Sequence, residues 1–109
     1  MDLNCERAMG IIIPAIRISV SKRLKKEGMT QSEISKKLGI RQATVSKYLA
    51  GKYSAKLKKA ERLVDAKGLS ASISKIINQG RSAQQVADAM DAMAFRKEIV
   101  AAAIKIDSG

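Results

Sequence analysis

The chain has 109 residues, 46% of them hydrophobic but only 3% aromatic, so one domain is expected with a core of Ile, Leu, Val, Met and Ala. One cysteine and no histidine argue against a disulfide framework and against the usual thiol and zinc chemistry. The net charge of +11 is localised: residues 17–62 hold 14 basic and three acidic side chains, while the rest of the chain balances seven against seven. Positive charge concentrated in one segment is the footprint of a nucleic-acid or anionic-membrane partner.

Abundant small apolar residues, one proline and no sustained period-two alternation favour an all-α chain. Near the N-terminus the only strongly apolar run is MGIIIPAI (residues 9–16). It is far shorter than the ~20 residues that span a bilayer and lacks a basic leader, so a cytoplasmic protein with no membrane partner is expected. Pro14 suits a first helical turn, which predicts a helix over about 13–27 with Ile16, Val20 and Leu24 on one face. Gly28 ends it.

Thr30 and Glu33 form a capping box, and Met29 and Ile34 can close a hydrophobic staple around it. These signals predict a helix over about 31–38, stopped by Gly39. A third helix follows over about 42–50, with Val45, Tyr48 and Leu49 inward and Gly51 at its end. Two short helices around a tight glycine turn make the helix-turn-helix pattern. At 100° per residue, Ala43, Lys47 and Ala50 point away from Val45 and Leu49, with Gln42 and Ser46 on the flank. A helix meant for the DNA major groove must be slim on that face.

Residues 30–52, TQSEISKKLGIRQATVSKYLAGK, resemble the helix-turn-helix of phage repressor and Cro proteins and the wider xenobiotic-response-element family. The resemblance lies in Gln31, Ile34, Ser35, Leu38-Gly39-Ile40, Val45-Ser46, Leu49 and Gly51. A longer likeness, through Cys5-Glu6, Pro14-Ala15-Ile16-Arg17, the motif itself and Tyr48-Leu49-Ala50-Gly51-Lys52, is to archaeal transcriptional regulators of that family. Relatives often carry further cysteines near the C-terminus for metal or iron–sulfur sensing; none follows Cys5 here, so no cofactor is expected.

The resemblance implies double-stranded DNA as partner, with Gln42, Ala43, Ser46 and Lys47 as base readers. Thr30, Gln31, Arg41, Thr44, Lys52, Tyr53 and Lys56 are implied at the DNA backbone. Arg41 stands where the family usually has a capping Ser or Thr.

Further on, the pattern predicts helices over about 55–67, from Ser70 to about 79, and one long helix over about 83–106 opened by a Ser82/Gln85 capping box. The echo between GMTQSEISKKLG and GRSAQQVADAMD reads as shared capping chemistry, since no second glycine turn follows. Val86, Met90, Met93, Val100 and Ile104 mark an apolar stripe suited to self-association. The expected organisation is a helical bundle: residues 1–66 a repressor/Cro-like DNA-binding region, residues 67–109 additional C-terminal helices that dimerise.

The leading expectation is a sequence-specific transcriptional regulator, a homodimer on a near-palindromic operator. The alternatives are a sequence-tolerant architectural DNA-binding protein, and an antitoxin-like operator binder with a protein partner. With no histidine and no acid clustered at a site, an enzyme is not expected.

Overall fold

After the first helix, caps and glycine stops divide the chain into helices too short to be stable alone in water, so their order depends on a shared core. The computed structural model describes residues 3–108, with side chains from Cys5 onward. The helices are α1 (Leu3–Lys26), α2 (Gln31–Leu38), α3 (Gln42–Leu49), α4 (Ala55–Ala66), α5 (Leu69–Asn78), α6 (Ala83–Ala94) and α7 (Lys97–Ser108). The fold is all-α; among the described residues there is no strand and no helix long and apolar enough to cross a membrane.

α1 is the axis of the molecule. Its 24 residues, at 1.5 Å each, run ~36 Å, matching the longest molecular dimension of 35 Å. All six other helices pack against it. Ile12, Ile16, Ile18, Val20 and Leu24 are fully buried on several of its sides, as expected of a helix covered by neighbours over most of its middle turns. One continuous core joins Ile12, Ile16, Val20 and Leu24 to Ile34, Leu38 and Val45 of α2 and α3, and to Ile73, Ile77, Val86, Ile99 and Ala103 of α5, α6 and α7.

Three expectations are corrected. First, α1 begins ten residues earlier than the expected 13 and runs through Pro14. A proline inside a helix costs about 3 kcal/mol. Burial of Ala8, Met9 and Ile12 in the common core offsets that cost. Second, the long C-terminal helix is two helices. Phe95 and Arg96 break it, the Phe95 N–H donating back to Asp91 and Met93 carbonyls. The break lets α7 fold onto α1 and α4 and bury Ile99 and Ala103. Third, the apolar stripe faces inward: Val86, Met90 and Met93 are buried, and Val100 and Ile104 pack against the same core. A smaller difference is at Ser70, which sits buried in the first turn of α5; left-handed Gly68, not Ser70, occupies the cap position.

Candidate nucleic-acid interface

The α2–α3 turn is built by local chemistry. The Thr30 hydroxyl accepts from the Glu33 N–H at 3.1 Å, and the Glu33 carboxylate accepts from the Thr30 N–H at 3.1 Å. These bonds hold the exposed Glu33 carboxyl below its usual pKa. At the other end Gly39 is left-handed (φ 65°, ψ 34°), and both its N–H and that of Ile40 donate to the Ser35 carbonyl. A Cβ at Gly39 would lie 3.6 Å from the Ala83 side chain, so the first turn of α6 backs the turn from behind.

Val45, fully buried, anchors α3 to the core. Away from it Ala43 and Lys47 are exposed on the far side of this short helix, Gln42 and Ser46 are exposed on its flanks, and Ala50 is exposed at its C-cap. The side chains are short or slender, apart from one lysine, and they offer an amide, a hydroxyl, an ammonium and a methyl group. Those are the groups that read base edges in the major groove. Arg41, also exposed, has the backbone of an N-cap (φ −70°, ψ 145°) but its side chain makes no capping bond. Gln31 and Thr44 are half-buried beside this face.

The expected backbone residues after α3 differ in their freedom. Lys52 is exposed, and its N–H donates to the Lys47 carbonyl at 3.0 Å, which ties the loop to the end of α3. Tyr53 is half-buried and its hydroxyl is engaged: it donates to one Glu61 oxygen and accepts from the Lys22 ammonium at 2.7 Å. Lys22 also donates to the other Glu61 oxygen at 2.7 Å. Burial alone would lower the Lys22 pKa; the hydrogen bonds to Glu61 and Tyr53 outweigh it, and the net shift is upward. Burial, then the Glu61 bond, raise that of Tyr53. Lys56 donates to the Asp107 carbonyl at 2.9 Å and lies 3.3 Å from its carboxylate, which also meets Arg7 at 3.4 Å. The end of α7 therefore already occupies this ammonium.

The sequence reading missed the Lys22–Tyr53–Glu61 cluster, with Lys58 beside it. Its one signal was Glu61, an acid inside the basic segment. Local spacing does not link residue 22 to residue 61.

Comparison with known families agrees with this geometry. A family model described as "Helix-turn-helix" matches residues 20–74, from the second half of α1 into α5. Neither the curated proteins nor the solved structures give a significant match.

Proposed function

Because the chain belongs to the helix-turn-helix family of the xenobiotic-response-element type, which binds DNA, we propose that it is a sequence-specific transcriptional regulator whose α3 enters the major groove. The observation that carries this reading is the exposed α3 surface, Ala43 and Lys47 opposite fully buried Val45 and Gln42 and Ser46 on the flanks, set inside the segment that holds the whole excess charge. In this reading Arg41 and Lys52 flank the readers at the phosphates, with Thr30, Gln31 and Thr44 beside them. Lys56 joins them only by leaving Asp107.

The proposed regulator is a homodimer on a near-palindromic operator, its two recognition helices one DNA turn apart, ~34 Å. With the Val86–Ile104 stripe in the core, the proposed dimer face is the outer surface of residues 67–109, where Phe95 is 49% exposed. The proposed likeness to archaeal regulators rests on Cys5-Glu6, Pro14–Arg17, the helix-turn-helix motif itself and Tyr48–Lys52.

Selection of bound sequences from random DNA tests the reading. One enriched motif is the expected result; no enrichment favours a sequence-tolerant architectural protein. On that motif Gln42→Ala should cost ~1–3 kcal/mol and relax preference at one base position. An equal loss on the motif and on random DNA removes Gln42 from the readers.

A further inference from the structure

Glu61 is 9% exposed, on a helix that otherwise carries four cations before its last turn. Both of its oxygens are occupied, one by the Lys22 ammonium and one by the Tyr53 hydroxyl. Such a cluster is a poor device for stability alone, because packed apolar side chains of similar volume do as well or better. What it does supply is geometry. It ties three segments together: α1 through Lys22, the loop after α3 through Tyr53, and α4 through Glu61.

The loop between α3 and α4 is short, and Lys52 is held on both sides within it. Its own N–H is bonded to the end of α3, and the side chain of the next residue, Tyr53, is bonded into the cluster. The Tyr53 ring also lies 5.8 Å from the exposed Lys58 ammonium, with Lys22 at 5.4 Å. Two exposed cations, Lys52 and Lys58, thus adjoin one tyrosine whose position is set from beneath.

We propose that Tyr53 and Glu61 are positioning residues for DNA binding, holding the loop after the recognition helix so that Lys52 and Lys58 grip the phosphate backbone beside the groove that α3 reads. The proposal rests on α3 being the DNA-reading helix. It assigns Lys58 to the interface and gives the Tyr53 hydroxyl an indirect role. The advantage is preorganisation: a loop ordered before binding loses less conformational entropy when its cations meet phosphate.

The test is fluorescence anisotropy of a labelled random-sequence duplex with the full chain, across a salt series. Wild-type protein should bind with a steep dependence of log affinity on log salt; absence of binding at low salt would sink the DNA reading itself, and the proposal with it. Lys52→Ala and Lys58→Ala should each make the slope shallower by about 0.9. An unchanged slope in both overturns the proposal while leaving the DNA reading intact. Tyr53→Phe should weaken binding by about three- to tenfold, the scale of one lost hydrogen bond. Glu61→Gln should act in the same direction. In a Lys52→Ala, Lys58→Ala background, Tyr53→Phe should have no further effect. An equal loss in that background means Tyr53 acts on overall stability and not through the two lysines.

Discussion

Arg41, proposed here for the phosphate backbone, carries a cost in the free protein. It occupies the N-cap of α3 without capping it, where Ser or Thr would accept a hydrogen bond from the first turn. Its positive charge is also unfavourable at the positive end of the helix dipole. Arg41→Ser is therefore expected to stabilise the free protein by ~1 kcal/mol. It should weaken DNA binding on all sequences and make the salt slope shallower by about one unit. Denaturant titration and salt-dependent binding check the two halves separately; a variant that binds as well as the parent would remove Arg41 from the phosphate contacts. This residue was legible in the sequence because capping depends on residue type and position within one turn. The engagement of Tyr53 and Lys56 was not legible, because their partners lie elsewhere in the chain: Glu61 and Lys22 for one, Asp107 for the other.

At the scale of elements, α2 and α3 follow the sequence reading and α1 departs from it. A capping box, a left-handed glycine and inward Ile34, Leu38 and Val45 are all short-range signals, and each is found where expected. In α1 the short-range rule for proline gave the wrong start, because burial of the preceding turns outweighs it. The lost bond and the ring clash of Pro14 fall on the carbonyl of residue i−4, which is Gly10. Gly10 is exposed, and a Cβ there would meet nothing within 4 Å. Gly10→Ala is expected to raise stability by ~0.5–1 kcal/mol, the difference between alanine and glycine inside a helix. Chemical denaturation measures it. A loss of stability would mean that the backbone at residue 10 needs the freedom of glycine to bend around the Pro14 ring.

For the molecule as a whole, the proposed functional boundary at residues 66 and 67 crosses a continuous core. Leu69, Ile73 and Ile77 of α5, Val86 and Met90 of α6, and Ile99 and Ala103 of α7 belong to the same cluster as the buried face of α1. α6 also supports the α2–α3 turn through Ala83. A fragment of residues 1–66 would expose the α1 surface that these side chains cover, at a cost of ~25 cal/mol for each Å² of apolar area returned to water. That fragment is expected to show no cooperative thermal transition by circular dichroism, although it keeps the basic segment. A sharp melt for residues 1–66 would show that the C-terminal helices are dispensable for the fold.

The sequence by itself determined the helical class, the punctuation of residues 30–51 and the confinement of charge to residues 17–62. These depend on spacing within a few residues or on simple counting. The tertiary structure alone decided that the Val86–Met93 stripe turns inward, that α7 folds back after Phe95, and that Tyr53 and Lys56 are bonded within the protein. Lys22 meets Tyr53 across 31 positions of sequence, and Lys56 meets Asp107 across 51. An apolar stripe looks the same in sequence whether it covers its own core or a partner's, and an ion pair between distant residues leaves no local pattern. Which surface a stripe covers, and which charge a lysine meets, is settled only when the helices pack together.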